Sequence, residues 1–164
     1  MTQNVKFTLS NPVHFLALGF GSGLIKPAPG TWGTLSAVPL YLGLLMFMSS
    51  SSVEYMAVIV VSFIIGVYLC GKTAKDVGVH DHGAIVWDEI VGFLITMAFV
   101  PLIWPNVVLG FLLFRFFDII KPWPIKLLDQ HVDGGFGIMI DDVLAGIFAW
   151  ALLMLAQPYL ISLL

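Results

Sequence analysis

The chain has 164 residues, 59% of them hydrophobic and only 10% charged, with a formal net charge of −3 and a mean hydropathy of +1.00. A soluble domain carries roughly 25% charged residues, so this composition excludes an ordinary soluble fold and points to one integral membrane domain over residues 1–164. The small net charge gives no footprint for nucleic acid, and the single cysteine, Cys70, excludes a disulfide framework.

In chain order, residues 1–15 lack the apolar core and small-residue cleavage site of a removed signal peptide. Residues 11–18 read as a short interfacial helix. Residues 19–34 follow with five glycines and two prolines, too many for regular helix; Thr31 or Thr34 is then placed to cap the helix that follows. Five apolar runs come next, at 33–48, 53–70, 90–103, 107–117 and 143–164. Several fall short of the ~20 residues a bilayer core requires. They are half-spans or re-entrant pieces, or they extend into their polar flanks. Extension gives a third helix over 84–104 containing Asp88 and Glu89, and a fourth that takes in Asp118 and stops at Lys121-Pro122, because proline ends helices. The fifth starts at Ile138 and contains Asp141 and Asp142. The expected fold is an all-α membrane bundle of about four to five transmembrane or partly re-entrant helices.

The breaks between the runs alternate. Residues before 33, then 71–89 and 115–142, hold nearly all the ionisable groups, and of the charged residues only Glu54 falls in the other set. Lys6, Lys26, Lys72, Lys75, Arg115, Lys121 and Lys126 all lie on the charged face, which the positive-inside rule makes cytoplasmic, with the N-terminus inside and the C-terminus outside. Trp32, Trp87 and Trp123 fall near that interface and Trp104 near the other, as aromatic belts do.

Chemistry concentrates on the charged face. Asp88-Glu89, Asp118 and Asp141-Asp142 sit at the same end of three helices. Neighbours on a helix diverge by about 100°, so one member of each pair is expected to face the bundle and the other the surface or a second layer of contacts. Hard oxygen ligands from three helices suit Mg²⁺ or Mn²⁺. Arg115, three residues before Asp118, is either its local ion-pair partner or a bidentate phosphate clamp. Lys121 and Lys126 bracket Pro122-Trp123-Pro124; attraction to anionic lipid heads explains either, and Lys121 is the better catalytic candidate because the following proline ties it in place. The glycine-rich loop with Lys26 is either a phosphate cradle or a membrane-entry turn. Residues 66–73 fit G-x-x-x-x-G-K-[ST], but they close an apolar span rather than follow a strand, so they are not read as a phosphate loop. His80, Asp81, His82 and Gly83 form a polar loop in which a histidine could move a proton, and His131 and Asp133 belong to a glycine-rich connector.

Four segments, GFGSGLIKPAPGTWGT, KDVGVHDHGAIVWDEIVG, FRFFDIIKPWPI and GGFGIMIDDVLAG, together resemble the phosphatidylglycerophosphatase A family of Gram-negative bacteria and cover roughly two thirds of the chain. The resemblance implies a multi-pass, Mg²⁺-dependent inner-membrane phosphatase that converts phosphatidylglycerophosphate to phosphatidylglycerol, with its site on the cytoplasmic side. It implies Asp88, Glu89, Asp118, Asp141 and Asp142 as metal ligands, with Asp88, Glu89, Asp118, Arg115 and Lys121 carrying catalysis. Lys26, Gly30, Thr31, Gly33, Arg115 and Lys121 are the expected phosphate contacts; Pro29 belongs to the same pattern, and Lys26 stands where the family need not have a lysine. Other phosphatase routes lack their residues: the chain has no Asp-x-Asp motif, no Cys-x5-Arg and a single arginine. The competing readings are a small proton- or ion-coupled transporter subunit, which would carry polar groups along its span, and a non-catalytic assembly factor. Oligomeric state is open.

Overall fold

The computed structural model describes residues 6–80 and 82–161; Asp81 of the polar loop, the first five residues of the opening segment and the last three of the fifth apolar run lie outside them. All regular structure among the described residues is helical: α1 (Pro12–Ala17), a 3₁₀ segment (Gly19–Leu24), α2 (Pro29–Leu45), α3 (Val53–Val77), α4 (Trp87–Thr96), α5 (Trp104–Ile120), α6 (Ile125–His131) and α7 (Gly134–Ile161).

Local chemistry fixes most boundaries. The Asn11 side chain accepts from the Val13 amide and starts α1, the short helix expected there. Ser52 does the same for α3 by accepting from the Tyr55 amide, and Gly78, in the left-handed region at φ 71°, ends it. α5 stops at Lys121 (φ 44°), ahead of Pro122, where the sequence places its end. Four expectations are corrected. The glycine-rich stretch is not all loop, since α2 begins at Pro29, whose missing N–H costs nothing in a first turn. Its N-cap is the left-handed Ala28 rather than a threonine, and Thr34 instead donates back to the Gly30 carbonyl at 2.9 Å. The helix expected over 84–104 is only Trp87–Thr96, because Phe99 turns the chain at φ 61° ahead of Pro101. α7 starts four residues before Ile138 and α6 ends at His131, so five of the seven connector residues at 131–137 are helical.

α2, α4 and α7 begin at the end where α3 and α5 finish. At that end Lys121 reaches Asp141 and the Gly134 amide donates to His80 Nε2 at 2.8 Å. At the other end Ser50 Oγ donates to the Val100 carbonyl at 2.9 Å, and Asn106 meets Gln157. α4 is the centre of the bundle: eight of its ten residues are buried. α7 packs against α3, α4 and α5. α4 and α7 cross closely enough that a Cβ at Gly146 would stand 2.6 Å from the Gly92 carbonyl oxygen, closer than side chains pack. Around α4 the core holds Tyr41, Tyr55, Phe93, Met97, Phe114 and Leu153, all fully buried. The Tyr55 hydroxyl donates to the Leu94 carbonyl at 2.8 Å, which satisfies a polar atom inside the core.

Two helices, Val53–Val77 and Gly134–Leu160, are long and apolar enough to cross a membrane. α4, at about 15 Å, reaches half a hydrocarbon core, and α2 and α5, at about 25 Å, fall a little short of one. α3 leaves Val60, Val61, Ile64, Ile65 and Tyr68 exposed, a bare apolar face that suits lipid rather than water. These features are consistent with a membrane location.

Candidate active site

Three helices deliver the acids to one place. Asp88 and Glu89 lie in the first turn of α4, Asp118 lies in the last turn of α5, and Asp141 and Asp142 lie two turns into α7. All five line one cavity of about 270 Å³ with Ala28, Pro29, Gly30, Arg115 and Lys121. The adjacent pairs do not split between bundle and surface as expected. Asp88, Glu89, Asp141 and Asp142 are all buried, at 7, 9, 5 and 3% exposure. The cavity lies among α2, α4, α5 and α7, so it wraps far enough around each helix to collect neighbours 100° apart.

Asp88, Glu89 and Asp142 each offer a carboxylate oxygen within 4.8 Å of the others. Glu89 Oε2 and Asp142 Oδ2 are buried with no hydrogen-bond partner among the described residues. Buried carboxylates in this state want a shared cation, and an all-oxygen donor set fits a hard divalent ion with room for water or phosphate. These three residues would hold it, with Asp118 and Asp141 on the same wall.

The two cations are placed differently. Arg115 lies deep: Nη1 pairs with Asp118 one turn along α5, stands 3.8 Å from Glu89 Oε1 and donates to Thr34 Oγ1 at 3.4 Å. Gly30 closes over this group. A Cβ there would stand 2.3 Å from Glu89 Oε1 and 2.9 Å from Arg115 Nη1, so any larger residue would push these two side chains out of place. Lys121 lies nearer the outside, its ammonium shared between Asp129 of α6 and Asp141. Burial alone would lower its pKa, but the two carboxylates outweigh that and hold the ammonium well above the ordinary lysine range. It stays charged throughout the neutral range.

The remaining expected contacts are not in the cavity lining. Lys26 is exposed, Thr31 stands outside the lining, and Gly33 packs against Val86. Residues 66–73 run inside α3, where Gly66 packs on Met139 and Trp87. His80 faces a neighbouring polar cavity of about 150 Å³ shared with Asp129 and Asp141, and His82 Nδ1 accepts from the Ala84 amide at 3.1 Å. Sequence reasoning missed two partners of the cations. Thr34 reads in the sequence as one of two capping candidates, and Asp129 offers only its helical spacing from Ile125 and Lys126. A larger groove of about 400 Å³ between α2, α3 and α4 is apolar and holds no titratable group, so it is not a candidate for the chemistry.

The family model for phosphatidylglycerophosphatase A matches residues 15–157. A phosphatidylglycerophosphatase A of Haemophilus influenzae is 52% identical over 153 residues, covering 91% of this chain and 93% of that protein. One from Escherichia coli K12 is 49% identical over 149 residues, covering 90% and 85%. No solved structure matches. With a family match across nearly the whole chain, and half of all residues shared over nine tenths of it, the chain belongs to the phosphatidylglycerophosphatase A family.

Proposed function

We propose that the chain hydrolyses the terminal phosphate monoester of phosphatidylglycerophosphate, giving phosphatidylglycerol and phosphate. The observation that carries the reading is the gathering of Asp88, Glu89 and Asp142 beside Arg115 and Lys121 in one cavity. The lipid stays in the bilayer while its headgroup enters from the charged end. The exposed Leu112, Phe116 and Ile119 of α5 leave an apolar flank for its chains.

A Mg²⁺ ion bound by Asp88, Glu89 and Asp142 would polarise the phosphoryl oxygens. The protein's own groups do the rest. Arg115, which faces Asp118 and Glu89 through Nη1, offers phosphate oxygens the planar fork of its guanidinium. Lys121 adds a charge from the other side, and the two together stabilise charge that develops in the transition state. A carboxylate of the cluster accepts the proton of the attacking water. Asp118 and Asp141 are the candidates for this step, since both line the cavity outside the three-residue donor set.

The charged end faces the cytoplasm of a bacterial inner-membrane protein in this reading. The positive-inside rule supports it, because the described lysines and Arg115 gather at that end. α2, α4 and α5 would then be partial spans packed around the two long helices. A transporter subunit is disfavoured by the layer between the acids and the Asn106–Gln157 pair. There Phe93, Met97, Phe114, Ala149 and Leu153 are buried, and the Thr96 hydroxyl is spent on the Gly92 and Gly146 carbonyls.

The test is phosphate release from phosphatidylglycerophosphate by the detergent-purified protein, with Mg²⁺ and with EDTA. Release with Mg²⁺, abolished by EDTA and by Asp88→Asn, is expected. No release from folded protein under either condition would overturn the reading.

A further inference from the structure

We propose that Asp129 is a positioning residue: its carboxylate, reaching from α6, holds the Lys121 ammonium on the outer side of the catalytic cavity, where it meets the substrate phosphate. This rests on the phosphatase reading and assigns a role to a residue outside the acid cluster.

Lys121 caps α5 in a left-handed conformation and is followed by Pro122, so its Cα is fixed. Its four-carbon stem is not fixed, and an ammonium has no directional fork to lock it. The cavity it lines presents five carboxylates. With only Asp141 as partner, the ammonium would be drawn toward that negative density and settle among the groups that would hold a cation. Asp129 opposes this. Its side chain is 32% exposed, that of Asp141 is 7% exposed, and the shared lysine lies between them at 24%. The ammonium is therefore suspended between an inner and an outer acid.

α6 is built to supply that outer acid. Ile125, fully buried, anchors the helix to the bundle, and α6 packs along α7, which carries Asp141. Asp129 follows Ile125 by one helical turn, which brings its carboxylate to the flank of α6 that meets Lys121. Arg115 needs no such device, because Asp118, Glu89 and Thr34 hold it from within.

Sign separates this role from the obvious alternative. If Asp129 merely masks Lys121, removing its charge strengthens binding of an anion. If it positions Lys121, removing it weakens binding. The test is Asp129→Asn, alone and with Lys121→Met, read as KM for phosphatidylglycerophosphate and as the affinity for inorganic phosphate in the presence of Mg²⁺ by calorimetry. Contacting residues couple over a range equivalent to about two- to hundredfold, and partial exposure puts this pair low in it. The expected result is a KM and phosphate dissociation constant raised about three- to tenfold, kcat changed less, recovery in Asp129→Glu, and no further effect of Asp129→Asn once Lys121 is Met. Lowered constants, or the same loss in both backgrounds, would overturn the proposal; the second would mean that Asp129 only pins α6. Phosphate affinity is read without turnover. A wild type that binds phosphate but hydrolyses no lipid would sink the phosphatase reading and leave this test in force, and a wild type that does not bind phosphate would overturn the assignment of Lys121 as well.

Discussion

Asp142→Asn should make the metal-free protein more stable and the enzyme dead. Asp142 shares with Asp88 and Glu89 a space in which carboxylate oxygens lie within 4.8 Å. Two full charges at that distance repel by about 3.5 kcal/mol at an effective dielectric constant of about 20. Arg115, 3.8 Å from Glu89, offsets part of this. The net relief on removing one charge by an isosteric change is then about 1–2 kcal/mol. For a chain of this size each kcal/mol moves the melting temperature by roughly 2–4 °C, so the variant should melt about 2–8 °C higher in EDTA. Magnesium reverses the order. At a hundred times its dissociation constant it stabilises the wild type by about 2.7 kcal/mol, and the variant, lacking one of three ligands, gains little. The assay is thermal unfolding in detergent with EDTA and across a Mg²⁺ titration, beside phosphate release. A variant less stable than wild type in EDTA would refute the claim that the cluster is held against repulsion. A variant still stabilised by Mg²⁺ as the wild type is would remove Asp142 from the ligand set.

Gly30→Ala should cut activity more than tenfold while leaving the protein folded, because its methyl group would displace the Glu89–Arg115 pair. Gly43→Ala, where a Cβ meets nothing within 4 Å, should keep activity and gain up to about 1 kcal/mol from helix propensity; equal activity in the two variants would dismiss the cradle. Tyr55→Phe removes the bond to the Leu94 carbonyl and should cost about 1–3 kcal/mol in denaturation with kcat unchanged. A fall in kcat at unchanged stability would mean that the far half of α4 acts on the site.

The fold was legible wherever apolar length and a terminating residue agree. α5 was bounded because Lys121-Pro122 stops it, while α3 starts with the apolar run at Val53 but runs seven residues past its end, to Val77, until Gly78 stops it. α4 was overextended because apolar content alone does not report a chain reversal. Val100, Ile103 and Trp104 look like continuing helix, yet the left turn at Phe99 ends it. The capping threonines were misplaced for a related reason. Pro29 at the first helical position can start α2 without a side-chain cap, which frees Thr34 for Arg115.

The acids were legible because charge at membrane depth is costly unless it is used, and five of them fell at one end of three helices. Their meeting at one site was legible for the same reason; that both members of each pair face it was not, since the expectation that adjacent acids diverge holds only for a partner that touches one side of a helix. A site wrapped by α2, α4, α5 and α7 reads two faces of each. The least legible part was what holds the cations. Position along the chain says that Arg115 is near Asp118, and nothing more, because Thr34 and Glu89 arrive from other helices. Asp129 is the extreme case. It lies in a seven-residue helix with one buried residue, has no charged partner at helical spacing other than Lys126, and becomes relevant only because α6 folds back along α7. Ligands that must resist repulsion leave a mark in composition, whereas the groups that orient their counter-charges are ordinary surface residues until the chain is folded.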